Sequence, residues 1–313
     1  MRYGEWLTEA GRVLFRNVHV WILIAPLLVL RWAAQMSGGA SVVGLQNRAM
    51  YIMNDPLLQR QILGADTPVE VLMAIANMYA RILGIGMSVM FLAAVWSLLA
   101  WLLSFIIAGA VIHQAMPSHA ERPRWQESLH VGLNRAPHLF LIRLLFNIPW
   151  VLLMGLTTAF ILLVMMTLPT SPRPEEMMGP VLGMMWIMIC IVGPVVVLWN
   201  ILVALFEPLA VQACVQEMRN AWESLVRAWQ VFWQRLGPVI LLAALLLVLR
   251  LFAGGFSAMA SPMTFMLQQA RGGWAVPALG LWAVFALFLT LVNLLIQAFG
   301  WILYARAWPD LRT

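Results

Sequence analysis

Long apolar segments without charge restrict the fold of this chain more than any other feature. No Asp, Glu, Lys or Arg lies between Arg81 and Glu121, or between Arg271 and Arg306. A helix needs about 20 such residues to cross the hydrocarbon core of a bilayer. Only 10% of the chain is charged, too little polar surface for a soluble domain. Because the apolar runs are continuous and do not alternate, a transmembrane β-barrel is excluded as well. The sequence predicts an all-α, polytopic transmembrane helical bundle.

Six membrane spans are predicted within a single membrane domain covering residues 1–313. They are Val18–Ala34, Gly84–Val111, Ala136–Leu168, Met177–Glu207, Leu236–Phe256 and Trp274–Tyr304. Polar connections are expected between them at Gln35–Pro68, Pro117–Pro137, Pro169–Glu176 and Ala258–Gly273, with a tail at Ala305–Thr313. Proline lacks an N–H group, so Pro26, Pro149 and Pro194 are expected to kink three spans.

Arginine is distributed unevenly between the two sets of loops. One side carries Arg2, Arg12, Arg16, Arg122, Arg124, Arg135, Arg143, Arg219, Arg227, Arg235, Arg306 and Arg312, and the other carries Arg48, Arg60, Arg173 and Arg271. Cytoplasmic loops carry the excess of basic residues in membrane proteins. The pattern therefore predicts that both termini are cytoplasmic.

The segment between the fourth and fifth spans predicts an amphipathic helix at Ala221–Arg235. Asn220 is a suitable N-cap, and Glu223 occupies the capping-box position. The helical period places an apolar face opposite a polar face; the two faces are Trp222, Leu225, Trp229, Phe232 and Leu236, and Glu223, Arg227, Gln230 and Gln234. Glu223 and Arg227 are spaced as an i,i+4 ion pair.

Two interpretations of this helix remain open. It packs into the bundle, or it lies in the membrane interface and offers a docking surface to a partner. On the second interpretation the candidate interfacial or partner-docking residues are Trp222, Glu223, Arg227, Trp229 and Gln230. We expect its rings to point into the bundle or the lipid.

The chain also shows signs of an internal repeat. Gln126-Glu127-Ser128-Leu129 resembles Trp222-Glu223-Ser224-Leu225, and each set begins a predicted amphipathic helix that ends at a proline before a span. The N-terminal helix Tyr3–Asn17, with Tyr3, Trp6, Ala10 and Val13 on one face, precedes the first span in the same way. These features predict three cytoplasmic interfacial helices and three repeats, at 1–116, 117–217 and 218–313.

The residues that could carry chemistry form no site in the sequence. His113, His119, His130 and His138 do not have the spacing of metal ligands on a helix, and Cys190 and Cys214 form no disulfide framework. A methionine group at Met177, Met178, Met184, Met185 and Met188 is better explained as apolar packing than as a copper site. Arg31, Arg81, Arg250 and Glu207 lie at span ends, where their side chains can reach the interface. The sequence therefore predicts no enzyme, metal or cofactor, and no nucleic-acid partner.

Several short motifs resemble a bacterial group. They are Phe206-Glu207-Pro208, Ala221-Trp222-Glu223-Ser224-Leu225, Arg227-Ala228-Trp229, Leu303-Tyr304 and Asp310-Leu311-Arg312. The group consists of uncharacterised six-span proteins similar to the membrane domain of glycerophosphoryl diester phosphodiesterases. The resemblance implies an architecture and a bacterial plasma-membrane location, and no activity or catalytic residue.

The expected function is accordingly that of an accessory or scaffold protein in the cell envelope or in lipid-linked processes. Its expected partners are membrane lipid and a protein at the cytoplasmic face. The alternative is a transporter of a small amphiphile or lipid, because kinked spans line many transport sites.

Overall fold

The computed structural model describes residues 3–53, 68–117, 123–167, 183, 186, 190, 192–258 and 275–313. Eight helices account for most of these residues: α1 (Tyr3–Arg16), α2 (Val18–Met53), α3 (Pro68–Ala115), α4 (Trp125–Thr167), α5 (Gly193–Gln216), α6 (Ala221–Gln234), α7 (Leu236–Ala258) and α8 (Ala275–Arg312). The prediction of an all-α protein is confirmed.

Six of the described helices are long and apolar enough to cross a membrane. The segments are Val18–Gly38, Phe91–Ala115, Trp125–Ala159, Gly193–Gln216, Leu236–Gly255 and Pro277–Arg312. Many large apolar side chains on them are exposed, among them Val151, Leu156 and Phe252. Exposure of this kind is unfavourable in water and is expected where lipid surrounds the helix. The six segments fit an integral, multi-pass membrane protein.

Three predicted helix ends are wrong. The loop predicted from Gln35 is helical as far as the structure describes it, because 35–53 belongs to α2, while residues 54–67 lie outside the described part. The expected tail from Ala305 is the last part of α8, which continues to Arg312. Likewise, α5 continues past Glu207 to Gln216. A Gly inside a helix costs only about 1 kcal/mol relative to Ala, so Gly38-Gly39 is a weak stop signal.

Proline also stops fewer helices than expected. The predicted amphipathic helix before the third span does not end at Pro137, because α4 runs unbroken through Pro137 and Pro149. Pro26, which was predicted to kink its span and not to end it, also lies inside a continuous helix, α2. Inside a membrane a helix tolerates proline, since neighbouring groups satisfy the freed carbonyls. Pro194 lies in the first turn of α5, where no N–H is needed.

The expected fourth span begins at Met177, and most of its first half lies outside the described residues. The same holds for the predicted polar turn at Pro169–Glu176 and nearly all of the loop at Ala258–Gly273.

The chain divides into two compact units. Unit 1 comprises Met1–Val13, Ala108–Leu245 and Trp301–Thr313, and unit 2 comprises Leu14–Ile107 and Leu246–Gly300. In unit 1 the last turns of α3 cross α4 closely: a Cβ placed on Gly109 would lie 2.9 Å from the Cα of Gly132. Trp199 of α5 donates its indole N–H to the carbonyl of Phe146 in α4, at 3.0 Å.

In unit 2, α2 and α8 are joined by side-chain hydrogen bonds within their apolar segments. The Trp32 indole N–H donates to the Ala283 carbonyl at 3.0 Å. The Thr290 hydroxyl lies 2.7 Å from the Gln35 side-chain oxygen. The buried side chains of the unit are mostly aliphatic, and Ile24 is one of the fully buried ones. Polar side chains in membrane helices commonly join helices in this way.

Candidate functional site

The start of α6 has the N-cap that the sequence predicted. Asn220 is extended, and its side-chain oxygen accepts the backbone N–H of Glu223 at 2.9 Å. The hydroxyl of Ser224, four residues after the cap, donates to the Asn220 carbonyl at 2.6 Å. The first of these bonds satisfies a backbone N–H that a helix N-terminus otherwise leaves without a partner. The helix therefore begins at a fixed residue, which fixes the direction of each of its faces.

Three faces run along α6, one more than the sequence predicted. Its buried face consists mostly of small residues: Ala221, Ser224, Ala228, Val231 and Phe232. An exposed apolar face, called here the tryptophan stripe, consists of Trp222, Val226, Trp229 and Trp233. An exposed polar face consists of Glu223, Gln230 and Gln234. Spacings of three and four residues within each set produce this division.

The tryptophan stripe is large and only partly supported by the protein. Trp222, Trp229 and Trp233 are 70%, 54% and 59% exposed. Trp229 stacks on Phe206 of α5 with ring centroids 5.3 Å apart, and Trp233 meets Trp229 edge-on at 5.6 Å. The ring contacts support two of the three indoles, and the exposed parts of all three form a continuous apolar surface.

The five predicted site residues therefore fall into three groups. Trp222 and Trp229 lie in the stripe, and Glu223 and Gln230 lie on the polar face. Arg227 was predicted to lie on the exposed polar face, and the structure does not place it there. Its side chain is 20% exposed, and it pairs with Glu217 at 3.5 Å instead of with the predicted Glu223. It also donates to the backbone carbonyl of Arg312 at 3.2 Å, which joins α6 to the end of α8.

The turn between α5 and α6 contains a group of charged residues that sequence reasoning missed. Glu217 is 11% exposed and binds Arg219 at 2.7 Å as well as Arg227. Met218 has a positive φ of 55°, which is uncommon outside glycine. The carbonyl of Met218 accepts from the guanidinium of Arg135 in α4 at 3.1 Å, and its sulfur lies 2.9 Å from the same guanidinium. Arg135 thus joins α4 to this turn.

Two glutamines on α5 bind the backbone of α8. Gln212 and Gln216 donate to the carbonyls of Trp301 and Ala305, both at 3.1 Å, and Gln216 also donates to Gln212 at 2.9 Å. Their i,i+4 spacing in an otherwise apolar helix is the sequence signal that could have identified them. Together with Arg227, these bonds fix the last turns of α8 against α5 and α6.

The amphipathic segment at the start of α4 makes contacts comparable to those of α6 with the end of a long helix. Ser128, the counterpart of Ser224 in the repeated motif, is buried and lies 3.0 Å from the His113 ring and 2.9 Å from the Gln114 amide at the end of α3. Ser224 is also buried, and its hydroxyl contacts the Cys214 thiol near the end of α5. Both serines therefore face the helix that precedes them. The repeat itself stays a prediction.

The N-terminal helix α1 has the faces that the sequence predicted. Trp6, Ala10 and Val13 are buried, whereas Glu5 and Glu9 are exposed. The Trp6 indole N–H donates to the Asp310 carboxylate at 2.9 Å, and Glu9 pairs with Arg306 at 3.4 Å. The N-terminal helix is therefore bound to the end of α8.

The described residues contain no group of three or more His, Cys, Asp or Glu side chains arranged to hold a metal ion. His113 contacts Ser128, and the ring of His130 lies 3.2 Å from the Asn134 amide. His119 and the predicted group of Met177, Met178, Met184, Met185 and Met188 lie outside the described residues.

Comparison with protein-family models, with curated proteins and with solved structures finds no match to this chain. The resemblance to six-span membrane domains therefore stays a prediction.

Proposed function

We propose that this protein is a non-enzymatic scaffold or accessory protein of the bacterial plasma membrane, which holds a partner protein at the cytoplasmic surface through the polar face of α6. The observation that carries the proposal is the division of α6 into three faces. One face packs on the protein, one is apolar and exposed, and one is polar and exposed. A helix with this division separates lipid from water while staying fixed to the membrane domain.

Connectivity supports an interfacial position for α6. Candidate spans flank it on both sides: α5 ends at Gln216 and α7 begins at Leu236. Both ends of α6 are therefore close to a membrane surface, where tryptophan is enriched. In that position the tryptophan stripe contacts lipid, and Glu223, Gln230 and Gln234 face water. The arginine distribution supports the cytoplasmic side.

Several contacts make α6 a suitable platform. Its buried face packs on the protein, and the bonds of Arg227 join it to the turn after α5 and to the end of α8. The Asn220 cap fixes the residue at which it begins. A partner that binds such a preorganised surface loses little binding energy in ordering it. The exposed polar face is therefore the surface best suited to recognise a protein.

Transport of a small amphiphile or lipid remains the second candidate. It is favoured by the polar pair Gln35 and Thr290, which lies within the apolar segments of α2 and α8. Many transporters, however, bind substrate at helices whose backbone is unwound. Here α2 is a continuous helix through Pro26, and α4 is continuous through Pro149. Neither proline therefore marks an unwound backbone at which a substrate would bind.

Site-specific photo-crosslinking in living cells tests the scaffold proposal. A benzophenone amino acid at Gln230 should form a discrete adduct with one protein, identifiable by mass spectrometry. The same amino acid at Val151, on an exposed apolar surface of α4, is the matched control and should crosslink lipid only. The partner, purified, should bind the full chain in nanodiscs, and Gln230→Arg should weaken its Kd at least tenfold.

Two results count against the proposal. Absence of a protein adduct at both Gln230 and Gln234, the two glutamines of the polar face, would remove the docking surface. The transporter would be favoured instead if the protein accumulated an amphiphile in proteoliposomes and Gln35→Leu abolished that accumulation.

A further inference from the structure

The turn between α5 and α6 carries more positive than negative charge. Arg219 and Arg227 bind the Glu217 carboxylate, and the guanidinium of Arg135 lies against the backbone of the next two residues. Glu223, the next acid along the chain, is exposed on the polar face of α6. With Glu223 counted, three guanidinium groups still face two carboxylates at this turn.

Arg135 is the residue whose charge this turn leaves uncompensated. Within the part of the chain that the structure describes, its guanidinium contacts neutral acceptors: the carbonyls of Met218 and Arg219, at 3.1 and 3.5 Å, and the Met218 sulfur. The residue is half-buried. A partly desolvated guanidinium is costly unless an anion pairs with it. Its five donors are arranged to bind phosphate oxygens.

The surroundings of this turn favour an anion that carries an apolar tail. The turn directly follows the candidate span of α5, which ends at Gln216. Met218, whose sulfur contacts Arg135, is 50% exposed, and Trp222 of the tryptophan stripe lies two residues after the cap. Exposed apolar side chains beside unpaired positive charge match the chemistry of a phospholipid, whose phosphate lies above its acyl chains.

We propose that Arg135 and Arg219, at the turn between α5 and α6, bind the phosphate of an anionic phospholipid whose acyl chains lie against Met218 and Trp222. Bound lipid in this position stabilises the turn, because it supplies the counter-charge that Arg135 lacks. The inference does not depend on a protein partner at the polar face of α6.

Native mass spectrometry of the full chain, with phosphatidylglycerol or phosphatidylcholine added, tests the site. The wild-type protein should retain phosphatidylglycerol preferentially, and Arg135→Gln and Arg219→Gln should each reduce that preference at least threefold. Arg12→Gln, on the exposed face of α1, removes the same charge elsewhere and is the matched control. Arg135→Lys keeps a charge without the guanidinium fork, so an intermediate loss is expected.

Three results would overturn the proposal. The first is equal retention of both lipids by the wild-type protein. The second is an equal loss of preference in Arg12→Gln and Arg135→Gln, which would reduce the effect to overall charge. The third is competition by inorganic phosphate at millimolar concentration, which would assign the site to a soluble anion. If Arg135→Gln does not fold, the Arg219→Gln variant decides the test. The Arg219 side chain is 41% exposed and pairs with Glu217, two residues before it, so its removal is less disruptive to the fold.

Discussion

At the scale of single residues, Gly109 offers the sharpest prediction of stability. A Cβ at this position would lie 2.9 Å from the backbone of Gly132, so Gly109→Ala must push α3 and α4 apart. Overpacking of this kind typically costs about 1–3 kcal/mol. Gly11→Ala in α1 is the matched control, since nothing lies within 4 Å of its Cβ. Thermal unfolding in mild detergent should show a lower Tm for Gly109→Ala and an equal or higher Tm for Gly11→Ala.

Ser128 allows a second residue-scale prediction. Its buried hydroxyl accepts the Gln114 amide and contacts His113, so Ser128→Ala leaves a buried amide with one bond fewer. A buried polar group that loses its partner costs about 1–3 kcal/mol. Thr8→Ala removes an exposed hydroxyl bonded only within its own helix turn and serves as control. Equal Tm values for the two variants would contradict this role of Ser128.

At the scale of elements, the three faces of α6 predict that a carboxylate introduced at neighbouring positions lowers stability to different extents. Trp229→Glu places a carboxylate in the tryptophan stripe and removes the stack on Phe206, so the protein should accumulate poorly and unfold at lower temperature. Gln230→Glu adds the same charge on the polar face and should leave the Tm unchanged. Ala228→Glu, on the fully buried face, should be the most damaging of the three. Equal behaviour of the 229 and 230 variants would contradict the three faces.

The same helix shows what a sequence can and cannot predict. Periodicity identified α6, its Asn220 cap and the buried face of α1 with Trp6. It left open whether the rings of α6 point into the bundle or into the lipid, because hydrophobicity alone does not distinguish the two surroundings. Membrane helices pack closely through small residues such as Ala221 and Ala228, while large rings can face lipid. The pairing of Arg227 with Glu217 could not be predicted, since it depends on how the turn between α5 and α6 folds.

Helix ends were predicted less well than helix positions, for a related reason. In water, Pro137 would be a strong signal for a helix end, and Gly38-Gly39 a weaker one. In a bilayer an unpaired backbone group is so costly that the helix continues through weak breakers. Contacts between distant parts, such as Trp6 with Asp310, require the packing of α1 on α8 and leave no local signal in the sequence.

At the scale of the whole molecule, we propose a six-span protein whose termini and α6 share the cytoplasmic side. Cysteine labelling in intact cells tests it most directly, in a background without Cys190 and Cys214. Gln230 is the suitable site on α6, because Ser224 is fully buried. A membrane-impermeant maleimide should label Gln59→Cys and Gln268→Cys from outside, and should label Gln230→Cys only after the membrane is opened. Labelling of Gln230→Cys in intact cells would contradict the topology.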